Sequence, residues 1–157
     1  MRWIVSSKNE ARTRRGSRVY DPSVTHLDTS FLVDLLREAA RGEEGPAHAA
    51  LDRLADEELA VSVHVACELY AGAELADDPE VERTRVTSLL KALQVVHTSD
   101  HFAPLYGVLL AELRRRGESV STMDLLIATG ARTHDAPVVT RNTRDFERVP
   151  GLDVVSY

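Results

Sequence analysis

Short apolar runs alternate along the chain with longer stretches in which apolar residues return every three or four positions. Residues 24–28 (VTHLD) predict a short strand, and Phe31, Leu32, Leu35 and Leu36 the inner face of a helix behind it. Gly42 and Gly45 interrupt the pattern. Residues 47–59 predict a second helix, residues 59–63 alternate as a second strand, and the next helix carries Val65, Leu69 and Tyr70. Asp78-Pro79, an N-cap followed by proline in the first turn, predicts a helix running through Leu93. Val95-Val96 is a third strand. Ser99 or Asp100 is expected to cap a long helix bearing Leu105, Val108, Leu109 and Leu113 and ending near Gly117. Thr122 is expected to cap the next helix. Residues 137–140 predict a buried strand, residues 144–147 a helical turn, and Val154-Val155 a last strand. Strands alternating with helices in this way predict an α/β fold, with a mainly parallel sheet covered by helices on both faces.

Residues 1–23 show no such periodicity. They are expected to form a basic, flexible lead-in, with one folded domain over residues 24–157. The 43% hydrophobic and 28% charged fractions suit a soluble globular chain. No apolar run approaches the roughly 18 residues that cross a membrane, and Trp3 to Val5 is too short for the apolar part of a secretory signal. The single cysteine, Cys67, excludes an internal disulfide and fits a reducing cytoplasm; it is expected to turn toward the core. The net charge is −6. The first 20 residues set Arg2, Lys8, Arg12, Arg14, Arg15 and Arg18 against Glu10, a balance of +5, which leaves −11 on the rest. So acidic a body excludes a passive nucleic-acid coat, but it is compatible with an enzyme that meets phosphate through bound cations.

In an open parallel sheet, ligands bind beyond the carboxyl ends of the strands. Four acids fall there. Asp28 closes the first strand, Glu68 lies about one helical turn past the second, Asp124 is in the first turn of the helix after residue 122, and Asp145 follows the strand ending at Thr140. Four carboxylates in one cleft repel one another unless hard cations neutralise them. Mg²⁺ and Mn²⁺ take oxygen ligands and keep waters, and the chemistry that uses such a site is phosphodiester hydrolysis. Taken singly, Asp124 is more ordinarily a capping charge and Glu68 a solvated one. Asp28, at an apolar junction, needs a partner. The six histidines are scattered, with only His97 and His101 at ligand spacing, which does not indicate zinc. Arg114, Arg115 and Arg116 suit the end of a helix, whereas Arg141 and Arg144, with Arg148, border the cleft and are candidate RNA-phosphate contacts. An aspartyl-phosphatase would want a second Asp two residues after Asp28, where Ser30 stands, and a nearby lysine; the only lysines are Lys8 and Lys91.

The words around the four acids add a resemblance. Leu27-Asp28-Thr29-Ser30-Phe31-Leu32 resembles the opening motif of PIN-domain nucleases. Glu68-Leu69-Tyr70-Ala71-Gly72 is similar to their second acidic motif, and Asp124-Leu125-Leu126-Ile127-Ala128 to the third. Val139-Thr140-Arg141-Asn142-Thr143-Arg144-Asp145-Phe146 resembles the fourth, and Pro150-Gly151-Leu152 a usual ending. The four stand in the family's order over residues 24–157, in size and wording nearest to VapC-type toxins of type II toxin–antitoxin systems. The resemblance implies a PIN-like three-layer α/β/α fold and an endoribonuclease dependent on Mg²⁺ or Mn²⁺. It makes Asp28, Glu68, Asp124 and Asp145 catalytic metal ligands. Ser30 and Thr140 would hydrogen-bond within the site, and Asn142 would orient the loop carrying Asp145. It also implies RNA as substrate, a cognate antitoxin as partner, and a homodimer built on the helix over residues 100–116. A PIN nuclease of RNA processing, or a silent PIN-like binding module, is the alternative.

Overall fold

The structure is a computed structural model that describes residues 24–157. In chain order it runs β1 (Val24–Leu27), α1 (Thr29–Arg41), α2 (Pro46–Arg53), β2 (Glu58–Ser62), α3 (Val63–Glu74) and α4 (Pro79–Leu90). Then come β3 (Gln94–Val96), α5 (Phe102–Arg115), α6 (Thr122–Thr133), β4 (Val138–Val139), α7 (Thr143–Phe146) and β5 (Val154–Val155). The expected basic lead-in, residues 1–23, lies outside the described residues.

Every strand pairing is parallel, in the order β3-β2-β1-β4-β5. From β1 the chain steps outward through β2 to β3, then returns to the other side of β1 for β4 and β5. Right-handed crossovers therefore put α1 to α4 on one face and α5 to α7 on the other, the expected three layers. Most helix contacts follow this division, α1 packing on α2 and α3, α3 on α4, and α6 on α5 and α7, while α3 and α6 also meet each other across it. The direction reverses between β1 and β4, and the helices leaving those two strands part to opposite faces. The carboxyl ends of β1 and β4 thus border a crevice. Beneath it the core is apolar, built on Leu27, Phe31, Leu125, Val139 and Phe146, each 1% exposed or less.

Most element boundaries match the sequence expectations, and the differences have local causes. The second helix stops at Arg53 instead of running to residue 59. Leu54 caps it, and a turn with the Glu57 N–H on the Leu54 carbonyl (3.0 Å) leads into Glu58, which pairs with Val24. Asp56, Glu57 and Glu58 would also oppose the negative pole of a longer helix. Helix α4 is capped by Asp78, whose Oδ1 accepts the Val81 N–H at 3.2 Å, but ends at Leu90, three residues early. Helix α5 follows His101; Ser99 contributes only its carbonyl, to the Phe102 N–H at 3.0 Å. The cap of α6 is Ser121, with Thr122 inside the first turn. Cys67 is exposed, not turned to the core. The buried stripe of α3 is Val65, Ala66, Leu69 and Ala73, and Cys67 falls off it, into an open groove with Tyr70, Leu90 and Val95.

Two polar groups are built into this frame. Gly45 caps α2 without a side chain, and the Glu38 carboxylate replaces one. It accepts the N–H groups of Gly45 (3.2 Å), Ala47 (3.0 Å) and His48 (3.0 Å) and lies 2.7 Å from His48 Nδ1. Burial pushes Glu38 up, but the His48 ring and the three N–H groups outweigh it and hold it at about 2. His26 is buried in β1 with its Nε2 3.1 Å from His134 Nδ1 and the two rings stacked. Burial, then the neighbouring His134, lowers it to about 4, so it is neutral near pH 7. No helix of the described residues is long and apolar enough to cross a membrane.

Candidate active site

Asp28 leaves β1 in extended conformation and caps α1, its Oδ2 accepting the Ser30 N–H at 3.3 Å. It is 4% exposed. A carboxylate so buried at an apolar junction needs donors, and two hydroxyls supply them. Ser30 Oγ and Thr140 Oγ1 each donate to Asp28 Oδ2 at 2.7 Å. The two hydroxyl oxygens are 3.3 Å apart, but each has spent its proton on Asp28, so they do not bond each other. Their lone pairs take backbone N–H groups instead, Arg141 on Ser30 Oγ (3.1 Å) and Asn142 on Thr140 Oγ1 (2.9 Å). The loop after β4 therefore hangs on the two hydroxyls that hold Asp28. Among the described residues, Asp28 Oδ1 has no donor.

From that loop Asn142 reaches two more acids. Its Nδ2 donates to Asp145 Oδ2 at 3.2 Å and lies 3.5 Å from Asp124 Oδ2. Arg148 Nη1 takes the other oxygen of Asp145 at 3.0 Å and the Ser119 carbonyl at 2.9 Å. Asp124 is tied to its own cap: Ser121 Oγ accepts the Asp124 N–H (3.0 Å) and donates to Asp124 Oδ2 (2.8 Å). Burial, and then the charges of Asp28 and Asp145, raise the Asp124 carboxyl above its ordinary value against the pull of Ser121. Asp28, Asp124 and Asp145 therefore share one electrostatic field. Glu68 stands apart on α3, joined to the group only through Thr29, whose Oγ1 donates to it at 2.5 Å.

The crevice brings together three of the four acids singled out from the sequence, with Ser30, Thr140 and Asn142 as the links between them, and Glu68 at one remove. Arg141 is exposed and ion-paired with Asp34 at 2.6 Å. Arg144 is exposed and has no ion pair among the described residues. Asp34, Tyr157 and Ser121 were not singled out. Ser121 had a signal, since Ser-x-x-Asp is a capping pattern. Asp34 had one too, lying four residues after Ser30 and so on the same helical face. Among the described residues no three Asp, Glu, His or Cys side chains close into a ready-made ligand set. The donors that converge are all oxygens, two carboxylates or three, which suits a hard cation that keeps its waters better than one needing a protein cage.

The sequence profile of the PIN domain matches residues 26–152. The chain belongs to the PIN-domain family. It is 32% identical over 94 residues to ribonuclease VapC2 of Rickettsia felis, a match over 60% of this chain and 70% of that protein. It is 36% identical over 90 residues to the tRNA(fMet)-specific endonuclease VapC of Salmonella typhimurium, over 57% of this chain and 68% of that one. In structure it resembles VapBC2 from Rickettsia felis bound to a promoter DNA fragment, with a TM-score of 0.78 at 27% identity over 85% of this chain and 98% of that one. DNA-bound VapBC from Salmonella typhimurium gives 0.76 at 27% identity over 86% and 98%. All four acids lie inside the PIN match, whereas Tyr157 lies beyond its end.

Proposed function

We propose that this PIN-domain protein is an endoribonuclease that hydrolyses RNA phosphodiester bonds with Mg²⁺ or Mn²⁺ and acts as the toxin of a toxin–antitoxin pair. The observation that carries the proposal is the array Asp28–Thr140–Asn142, with Asp145 and Asp124 on the Asn142 amide, at the switch point between β1 and β4. The names of the VapC relatives support the substrate class, and the VapBC complexes among similar structures support an antitoxin partner.

Asp28, Asp124 and Asp145 would hold the cation, with Glu68, bonded to Thr29, as the fourth acid. When bound, the cation polarises the phosphate and lowers the pKa of a coordinated water. Ser30 and Thr140 fix Asp28 Oδ2, which would leave Oδ1 for the cation. Asn142 spaces Asp124 from Asp145 and damps their repulsion. Arg141 and Arg144 would meet RNA phosphates at the rim. A second copy of the chain would pair on α5, where Val108 is 60% exposed beside partly buried Leu105 and Leu110. The site of action would be the cytoplasm.

The test uses the purified chain, free of antitoxin, on end-labelled RNA. Cleavage is expected with Mg²⁺ or Mn²⁺ and none in EDTA. Undiminished cleavage in EDTA, or none with either cation, overturns the proposal.

A further inference from the structure

Ser30 and Asp34 lie four residues apart on α1 and so share one face of the helix. Both hold Arg141. Ser30 Oγ accepts its backbone N–H at 3.1 Å, and Asp34 Oδ2 accepts from its guanidinium Nη1 at 2.6 Å. An ion pair between exposed groups contributes little, but Asp34 is not exposed: its side chain is 16% accessible, against 61% for Arg141. Asp34 Oδ2 also accepts the Tyr157 hydroxyl at 3.0 Å, and Arg37 lies 3.7 Å from its other oxygen. Tyr157, the last residue of the chain, packs edge-on against buried Phe31 with ring centroids 4.9 Å apart. The carboxylate is therefore braced from the core side before it reaches Arg141.

The three arginines of this loop differ in what holds them. Arg148 is spent on Asp145 and a carbonyl. Arg144 has no ion pair among the described residues. Arg141 alone is anchored outside the acid cluster, with most of its fork of N–H donors still facing solvent. Without that anchor a flexible guanidinium this close would be drawn onto the carboxylates, as Arg148 is. Asp34 offers a competing carboxylate that keeps Arg141 at the rim.

We propose that Asp34, braced by Tyr157, is a positioning residue that holds Arg141 as a preformed phosphate-binding arm for RNA beside the carboxylate site. The proposal rests on the RNA substrate class proposed above. A preformed arm loses less side-chain freedom on binding, so it strengthens ground-state binding of RNA and not the chemical step.

The experiment is fluorescence anisotropy of a labelled single-stranded RNA oligonucleotide on the full chain in EDTA, over a salt series, with thermal melts to verify folding. Arg141→Gln is expected to weaken binding about tenfold, as for a lost charge-assisted hydrogen bond. It should also reduce the slope of log K against log salt by about 0.7, one single-strand phosphate contact. Asp34→Asn removes a negative charge, so simple electrostatics has it tighten RNA binding. It is expected to weaken binding instead, and Tyr157→Phe to weaken it less. Placed on Arg141→Gln, the same Asp34→Asn change is expected to cost nothing further. In cleavage assays Asp34→Asn should raise KM and leave kcat close to that of the unaltered chain. If Asp34→Asn tightens RNA binding or leaves it unchanged, or if the unaltered chain binds no RNA, the positioning role is overturned. Absence of cleavage alongside the expected binding pattern would count against the nuclease proposal alone.

Discussion

Thr140 and Asp28 lie 112 residues apart in the chain, yet the Thr140 hydroxyl donates to Asp28 Oδ2 at 2.7 Å in a pocket where neither side chain is more than 4% exposed. The bond joins the ends of the two parallel strands between which the strand order reverses. Removing the hydroxyl takes one of two side-chain donors from a buried carboxylate and frees the Asn142 N–H. Thr140→Val is therefore expected to destabilise the protein by about 1–3 kcal/mol and to lower RNA cleavage, while Thr140→Ser preserves both. Denaturant melts and cleavage rates check this; a Val variant as stable and active as the unaltered chain would contradict it.

Asp28→Asn and Asp124→Asn are each expected to lower cleavage by orders of magnitude with the fold retained. Near-normal rates in either would remove that residue from the ligand set.

Asp124→Asn carries a second expectation, in stability. The Asp124 carboxyl is raised in the cation-free fold, so its charge destabilises that fold once pH exceeds the ordinary carboxylate value of roughly 4. The Asn variant should melt higher than the unaltered protein in EDTA at neutral pH. It should also respond less to Mg²⁺, which at a hundredfold excess over its Kd stabilises a binding fold by about 2.7 kcal/mol. A lower melting point with an intact Mg²⁺ response would make Asp124 a helix-capping charge only.

The parallel sheet and the acids beyond its strand ends could be read from the sequence, because alternating periodicities and short acidic words are local; the strand order, and with it the switch point, could not. Helix ends were harder. The second helix was expected to run to Leu59, yet it gives way to a turn after Arg53 and the pairing of Glu58 with Val24 starts a strand there, which is a long-range event. The four acids were expected to share one cleft. The structure makes them three aspartates linked through Asn142 and Thr140, with Glu68 behind Thr29, a ranking set by side-chain reach that no spacing reveals. Cys67 was misplaced because a small apolar residue beside buried Ala66 suits either side of a helix. Tyr157 carried no signal, as its partner Asp34 is 123 residues away.

Acid should expose the role of Glu38. Its carboxyl is held at about 2 in the fold against an ordinary 4.5. The stabilisation is fully present above pH 4.5 and is lost as pH falls toward 2. Glu38→Gln is expected to be less stable than the unaltered chain at neutral pH, with the gap closing below about pH 4.5. Melting curves from pH 7 to 3 measure it, and a gap independent of pH would refute the ionised cap. Gly45→Ala should act on the same contact, because a Cβ there collides with Glu38 Oε1 and displaces the cap, at a cost of about 1 kcal/mol.

Cys67 gives a simple check on helix phase. Native protein is expected to react with a thiol reagent at one equivalent without denaturant. A thiol that becomes reactive only on unfolding would put the helix in the other rotation.

The return of the chain across β1 has a consequence for how the protein is made. Asp28 and Glu68 precede the reversal in chain order, whereas their companions Asp124 and Asp145 follow it. A chain halted before residue 124 would carry Asp28 and Glu68 without Asp124 or Asp145. The acid set proposed for RNA cleavage would thereby be incomplete in any copy that stops short of Asp145.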